Sequence, residues 1–151
     1  MIVEGYAALF GRADQIGDVV RAGAFRASLA RRTELLPMLV EHQSRSRAGS
    51  WSVVREDARG LYVRGELGAD MPGAARARRL IARGVDGLSI GFLPLVAHRE
   101  GRGRLLEEIE LLEVSIVSDP MQPLARLRQS PAGETRARLV SPGVHRLPTA
   151  A

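Results

Sequence analysis

The residues most suggestive of chemistry lie at positions 87–91, where Gly-Leu-Ser-Ile-Gly matches the pattern G-x-S-x-G. In an α/β-hydrolase this pattern places a nucleophilic serine on a sharp turn from a strand into a helix, with the acid and then the histidine downstream. Here a helical pattern precedes the motif, and Ser89 opens a predicted strand. A chain of 151 residues is also too short for that parallel sheet. The hydrolase interpretation fails, but Ser89 remains a candidate nucleophile.

A serine nucleophile needs a general base within hydrogen-bond reach, and histidine is the usual base. The chain has three histidines. His145 lies in a stretch rich in Pro and Ser, and His98 lies beside a Gly-rich turn, where an exposed loop histidine is expected. His42 follows an apolar run and precedes a polar segment, a position at which a strand end presents its side chain to a cleft. His42 is therefore the candidate base, and an ordinary surface histidine is the alternative.

Glu113 is the candidate third group, because it lies inside the apolar segment at residues 111–117. In a strand, Glu113 and Ser115 share one face, while Val114 and Ile116 occupy the other. A buried carboxylate needs a partner, and an imidazole is a suitable one. A solvent-facing glutamate on a one-sided sheet is the alternative that the sequence leaves open.

The composition excludes several other kinds of site. The chain has no cysteine, which removes a disulfide scaffold, a thiolate zinc site, an iron–sulfur cluster and a cysteine nucleophile. No histidine pair has metal-ligand spacing, and Asp14 and Asp18 lack a further clustered ligand. No glycine-rich phosphate-binding motif follows a predicted strand. We therefore predict no cofactor and no metal.

The chain is strongly basic, since 22 arginines and no lysine stand against 17 acidic residues and give a net charge of +5. Such a charge is compatible with a nucleic-acid partner. Aromatic residues make up only 4% of the chain, however, which disfavours recognition by base stacking. Arg76, Arg79 and Arg83 share one face of a predicted helix, the usual pattern of a solvated surface. We expect that nucleic-acid contact is not the primary function.

The elements that must position these residues are mostly strands, and the length suits one domain. Alternating or apolar runs predict strands at 2–10, 35–41, 50–55, 61–67, 88–98 and, as one or two strands, 105–117, with a flexible loop at 43–49. Helices are predicted at 23–32 and from a cap at Asp70 to a stop at Gly84. This total predicts a mainly β barrel with peripheral helices over residues 1–127. Ser, Pro, Gly and Arg after position 128 predict a flexible tail at 128–151.

The sequence also bears on location. No apolar run approaches the ~20 residues that a membrane span needs. The acidic residue at position 4 stands where a secretory signal would carry basic residues. We expect a protein without membrane contact that is made in a cytoplasm.

Seven short segments form an ordered set along the chain. They read Gly5-Tyr6-Ala7, Asp14…Gly17-Asp18, Gly23-Ala24-Phe25…Ser28-Leu29, Leu39-Val40-Glu41-His42, Glu56-Asp57…Gly60-Leu61, Gly87-Leu88-Ser89-Ile90-Gly91-Phe92 and Leu112-Glu113-Val114-Ser115-Ile116-Val117…Pro120. In this order they resemble the prohead (capsid maturation) protease family of tailed phages, over residues 2–127. The same family serves in bacterial gene transfer agents, and an Arg-rich chain without Lys fits a GC-rich bacterial genome.

The resemblance implies a fold similar to herpesvirus assemblin, a closed antiparallel β-barrel of six or seven strands ringed by helices. Carried over by motif, the family's catalytic serine falls on Ser89, its histidine on His42 and its acid on Glu113. The implied activity is that of a serine endopeptidase that cleaves scaffold, the N-terminal segment of the major capsid protein, or both, during prohead maturation. A non-catalytic capsid-assembly or scaffold-binding β-barrel is the alternative.

The same resemblance implies scaffold and major capsid protein as partners. It places the chain inside the assembling procapsid, in the cytoplasm of the bacterial host, and allows a homodimer as in the herpesvirus relatives. One position departs from the family pattern, since Gln43 stands where a small polar or acidic residue commonly follows the histidine. This departure leaves all three implied catalytic residues in place.

Overall fold

Eight strands and two short helices make up residues 1–131, the part of the chain that the structure, a computed structural model, describes. In chain order they are β1 (Ile2–Leu9), β2 (Val19–Val20), α1 (Arg26–Arg31), β3 (Leu36–Val40), β4 (Gln43–Glu56), β5 (Gly60–Leu67), α2 (Ala74–Ala82), β6 (Gly87–Glu100), β7 (Gly103–Val117) and β8 (Leu127–Ser130). No helix among these residues is long and apolar enough to cross a membrane. The protein is therefore mainly β with few helices, as the sequence predicts.

The strands form one sheet in the order β2-β7-β3-β4-β5-β1-β8, with β6 paired to β7. Strand β7 is the longest, at 15 residues. One edge of β7 pairs antiparallel with β6, while the other edge pairs parallel with β2 near its start and parallel with β3 near its end. Strand β7 therefore lies between β6, which carries Ser89, and β3, which ends two residues before His42.

The expected closed antiparallel barrel of six or seven strands is only partly supported. The sheet has eight strands, and two of its pairings are parallel. Its two ends approach each other at Gly87, which makes an isolated bridge to Arg126. The N–H of Leu88 also donates to the carbonyl of Ala125 over 2.9 Å. These contacts do not form a continuous ladder along β6, so the sheet is not closed into a barrel.

Alternation along β6 and β7 separates the core from the candidate site. Leu88, Val114 and Ile116 are fully buried in the hydrophobic core. The indole N–H of Trp51 donates to the carbonyl of Val114 over 3.0 Å and so ties β4 to β7 through the core. Because successive side chains point to opposite faces of a strand, Ser89 lies on the other face of the sheet.

Two local predictions are wrong. The segment 43–49, predicted as a flexible loop, is the first half of β4 and pairs with β3. Its backbone pairs with β3 across the short turn between the two strands, and such pairing overrides the low strand propensity of a polar segment. Asp70 does not cap the second helix, because α2 has Gly73 at its N-cap and no side-chain cap hydrogen bond.

Strands β2 and β8 are absent from the predicted elements. Strand β2 is only two residues long. Strand β8 pairs antiparallel with β1, so residues 128–130 of the predicted tail lie in the sheet. Residues 132–151 of that tail lie outside the described residues.

Candidate active site

Ser89 and Glu113 lie on neighbouring strands with their side chains on the same face. In the β6–β7 register Ser89 is opposite Ser115, and Gly91 is opposite Glu113. Residues directly opposite each other in an antiparallel pair have their Cβ atoms about 4.5–5.5 Å apart. Glu113 is the diagonal neighbour of Ser89 on the same surface of the sheet, a separation of about 7–8 Å that long side chains can span. Both residues are buried, with 6% and 9% of their surface exposed.

The glycines of the G-x-S-x-G pattern leave space on this face. A Cβ atom added at Gly91 would lie 2.3 Å from Oε1 of Glu113. At Gly87 an added Cβ would lie 2.5 Å from the carbonyl oxygen of Val117 and 2.9 Å from Cδ of Pro120. The glycines thus make room for the carboxylate and for the segment after β7. The motif has a steric role here that differs from that of a strand-to-helix turn.

His42 is presented by a tight turn. Strands β3 and β4 are joined by Glu41 and His42 alone, and both residues have positive φ values, 51° and 57°. Two successive positive φ values are typical of a type I′ hairpin turn, in which Asn and Gly are the usual residues. Non-glycine residues in this region cost about 1–3 kcal/mol each and persist where surrounding structure holds them in place.

Hydrogen bonds to the end of β7 hold the turn. The N–H of Glu41 donates to the carbonyl of Ile116 over 3.0 Å. The backbone N–H and the hydroxyl of Ser118 both donate to Oε1 of Glu41, each over 2.8 Å. The N–H of His42 donates to the hydroxyl oxygen of Ser115 over 3.1 Å. The turn is therefore fixed to the strand that carries Glu113.

The imidazole and the carboxylate are directly paired. Nδ1 of His42 is hydrogen-bonded to Oε1 of Glu113. The second carboxylate oxygen, Oε2, accepts a 2.7 Å hydrogen bond from the hydroxyl of Ser115, which is fully buried. Because a carboxylate only accepts, Nδ1 carries the proton and Nε2 is the nitrogen free to take another. Ser115 thus holds both the backbone of the histidine and its carboxylate partner.

The environment of His42 favours its charged form. The hydrogen bond to Glu113 raises the pKa of His42, partial burial opposes this, and the negative charges of Glu113 and Glu41 raise the pKa further. The His42 side chain keeps 43% of its surface exposed. The ring is therefore anchored on its Nδ1 side and remains accessible to a reactant.

Ser89 and His42 open onto one cavity of about 160 Å³. Its other walls come from β1, the loop before β2, strands β2, β6 and β7, and the segment after β7: Ala7, Ala8, Asp14, Ile16, Asp18, Val20, Ile90, Phe92, Arg104, Leu106, Met121 and Gln122. Within residues 1–131, no hydrogen bond joins the Ser89 hydroxyl to the His42 ring. In ligand-free enzymes such catalytic hydrogen bonds are often long and tighten when substrate binds.

Of the histidines in the described residues, only His42 lines this cavity. His98 lies on the exposed part of β6, where its Nε2 is 3.2 Å from Oε2 of Glu107, away from this cavity. His145 lies outside the described residues. Within residues 1–131, no group of three or more His, Asp or Glu side chains could hold a metal ion. The three side chains of the site are thus a hydroxyl, an imidazole and a carboxylate, the groups used in nucleophilic acyl transfer.

Sequence reasoning missed Ser115 as a member of this cluster. The available signal is its place in the alternation of β7, which puts Ser115 on the same face as Glu113. The pairing of the His42 N–H with its hydroxyl depends on the parallel contact of β3 with β7, for which the sequence carries no local signal.

The fold is shared with viral proteases of known structure. The bacteriophage T4 capsid assembly protease has a TM-score of 0.63 at 14% identity, over 77% of this chain and 80% of that one. The KSHV protease, in a complex with a hexapeptide phosphonate inhibitor, has a TM-score of 0.59 at 15% identity, over 83% of this chain and 63% of that one.

Sequence similarity identifies one family among the proteases with this fold. Residues 1–136 match the family described as Caudovirus prohead serine protease. The prohead protease of Enterobacteria phage HK97 is 36% identical over 126 residues, covering 79% of this chain and 55% of that protein. The chain belongs to the caudovirus prohead serine protease family, which confirms the resemblance drawn from its motifs. It spans about half the length of the curated relative that it matches.

Proposed function

We propose that this protein is a serine endopeptidase of prohead maturation, which cleaves scaffold, the N-terminal segment of the major capsid protein, or both. The observation that carries the proposal is the His42–Glu113 pair, with Ser89 on the same cavity. Membership of the prohead serine protease family supports the choice of a peptide bond as the target. The proposed catalytic residues are Ser89, His42 and Glu113.

The proposed reaction follows the chemistry of a serine triad. Nε2 of His42 takes the proton of the Ser89 hydroxyl as Oγ attacks the peptide carbonyl carbon, and then gives it to the leaving amine. Water, activated by the same nitrogen, hydrolyses the resulting acyl-enzyme and restores the Ser89 hydroxyl. Glu113 keeps the proton on Nδ1 and stabilises the imidazolium that forms at each step.

The proposed partners and location follow from the family. A protease of prohead maturation meets scaffold and capsid protein inside the assembling procapsid, in the cytoplasm of a bacterial host. The same assignment would hold for the gene transfer agent version of the family. A homodimer is also proposed, since a KSHV protease with a TM-score of 0.53 to this chain forms a complex with a dimer disruptor.

Replacement of the nucleophile tests the proposal. Ser89→Ala should reduce the cleavage rate by roughly 10⁴-fold or more, because the other triad groups contribute little without it. The protein is produced together with its capsid protein and scaffold, and the masses of the products are measured. Ser52→Ala is the matched control, because Ser52 is exposed and its hydroxyl donates to the carbonyl of Arg64 at 3.3 Å on a different strand.

A fluorophosphonate probe supplies the second readout. The unaltered protein and Ser52→Ala should both be labelled, and Ser89→Ala should not. Normal trimming of capsid protein by folded Ser89→Ala would contradict the protease assignment. That result would favour the alternative of a non-catalytic assembly or scaffold-binding protein.

A further inference from the structure

We propose that the cavity beside Ser89 is a specificity pocket for an apolar substrate side chain of leucine or methionine size, on the acyl side of the scissile bond. The inference deepens the proposed function and rests on it. The cavity is joined to the site directly, because Ser89 and His42 themselves form part of its lining. A side chain attached next to the carbonyl that Ser89 attacks would enter this space.

The inner wall of the cavity is apolar. It is formed by Ala7, Ala8, Val20, Ile90, Phe92 and Leu106. The two alanines, Val20 and Leu106 are each at least 95% buried, so this wall belongs to the packed interior. A cavity of about 160 Å³ compares with the engineered apolar cavity of ~150 Å³ that holds benzene in another protein. The available space therefore suits one medium-sized hydrocarbon side chain.

The charged residues of the wall already have partners. Asp18 is 3% exposed, and its Oδ2 accepts from Nη2 of Arg104 over 2.7 Å. Oδ1 of Asp18 also accepts from the backbone N–H of Arg104 over 2.9 Å. Oδ1 of Asp14 accepts from the N–H groups of Ile16 and Asp18 over 3.0 and 2.9 Å. An acidic substrate side chain would find no free cation here, and an ammonium group would lose its water against a mostly apolar wall, both of which are unfavourable.

The walls are held in place before any substrate binds. The N–H of Gln15 donates to the carbonyl of Met121 over 3.0 Å, which joins the loop before β2 to the segment after β7. The Gln122 side chain accepts from the N–H of Leu9 over 2.6 Å and donates to its carbonyl over 3.1 Å. A pocket fixed in this way loses little entropy when a ligand enters.

The rim has the same character as the interior. Ile16 and Met121 both line the cavity, and they are 59% and 42% exposed. Large apolar side chains at such exposure leave hydrophobic surface available to a bound substrate. The rim and the inner wall thus favour the same class of side chain.

Peptide substrates that differ only at the residue before the scissile bond test the pocket. The series contains Gly, Ala, Leu, Met, Lys and Glu at that position. The expected kcat/KM for Leu and Met exceeds that for Ala at least 10-fold, and Lys and Glu fall below Ala, since hydrophobic pockets discriminate by about 10- to 200-fold per added group. A preference for Lys or Glu, or equal rates for Ala and Leu, would overturn the proposal.

Two variants locate the effect in the cavity. Val20→Phe fills it and should lower the Leu-to-Ala ratio of kcat/KM at least 10-fold, whereas Val53→Phe, at a 38% exposed position away from the cavity, should leave the ratio unchanged. Ile16→Asp at the exposed rim should lower the same ratio even if Val20→Phe does not fold. Its matched control is Leu124→Asp, at a position 56% exposed and outside this cavity. Unchanged ratios in both cavity variants would overturn the proposal.

The fluorophosphonate probe separates failure of the pocket from failure of the proposed function. Labelling of Ser89 without any preference among the peptides would overturn the pocket alone. Absence of both labelling and cleavage would overturn the pocket and the protease assignment together.

Discussion

Ser115→Ala is the perturbation that most directly tests how the site is held together. The Ser115 hydroxyl donates to Oε2 of Glu113 over 2.7 Å and accepts from the N–H of His42 over 3.1 Å. Its removal leaves the carboxylate with one partner fewer and the His42 N–H without its acceptor. Ser115 touches no substrate in the proposed mechanism, so it is a positioning residue.

The expected losses in kcat/KM and in stability follow from the two hydrogen bonds that Ser115 makes. A hydrogen bond to a charged group contributes about 1.5–3 kcal/mol, and one between neutral groups about 0.5–1.5 kcal/mol. If the charge-assisted bond to Glu113 is expressed fully in the transition state, kcat/KM falls roughly 10- to 100-fold. Loss of both bonds should lower the free energy of unfolding by about 2–4 kcal/mol.

The assay measures kcat/KM against pH on one fluorogenic peptide, with denaturant unfolding of the same samples. We expect the rate to fall and the apparent pKa of His42 to move down toward its ordinary value of 6.5, because the pairing with Glu113 loosens. Ser118→Ala is the matched control. It also removes one serine hydroxyl close to the end of β7, but the N–H of residue 118 still donates to Glu41. That variant should retain kcat/KM within about threefold, because the lost hydroxyl contacts Glu41 and neither His42 nor Glu113, and the remaining N–H bond still holds the turn.

Ser115→Cys guards against misfolding, because it keeps the side-chain volume and a weak donor, and its kcat/KM should lie between those of the unaltered protein and Ser115→Ala. A folded Ser115→Ala protein with unchanged kcat/KM and an unchanged pH profile would refute the reasoning. It would show that the turn and the carboxylate position His42 without this hydroxyl.

Four further predictions concern the same pair. Gly91→Ala should reduce kcat/KM more than tenfold with the sheet intact by circular dichroism, because its Cβ would lie 2.3 Å from Oε1 of Glu113; normal activity would show that the carboxylate can move freely. Since the pKa of His42 is raised and the base must be neutral, kcat/KM should increase with pH through a midpoint above 6.5. Glu113→Gln should lower that midpoint and reduce kcat by roughly 10²–10⁴-fold, and an unaltered profile would remove Glu113 from its role. Glu41→Gln should lower the midpoint slightly with the turn retained, because it removes one of the charges that raise the pKa of His42; a rise would contradict that cause.

Much of the strand content could be predicted from local patterns. The alternating and apolar runs place β1, β5, β6 and β7 near their observed bounds, because half-buried strands require side chains that alternate between two environments. Segment 43–49 shows the limit. Its polar residues carry no strand signal, and only pairing with β3 makes it part of β4.

The candidate residues are a different case. Residue type, position along predicted elements and the resemblance to a family together indicate Ser89, His42 and Glu113. Their roles remain proposals, and the structure supports them by placing His42 against Glu113 with Ser89 on the same cavity. The sequence could not predict the strained turn at Glu41 and His42, since neither is the Asn or Gly that such a turn usually carries.

The sequence by itself determined a mainly β protein, its candidate nucleophile, base and acid, and its family, because these depend on residue types, short-range periodicity and ordered motifs. Only the tertiary structure decided how the parts meet. The parallel contact of β3 with β7 brings His42 to Ser115, and the β6–β7 register sets Gly91 opposite Glu113. The cavity is walled by strands β1, β2, β6 and β7 together with the loop before β2 and the segment after β7. Each of these depends on partners far apart along the chain, and the cost of bringing them together is met only by the burial of the whole fold.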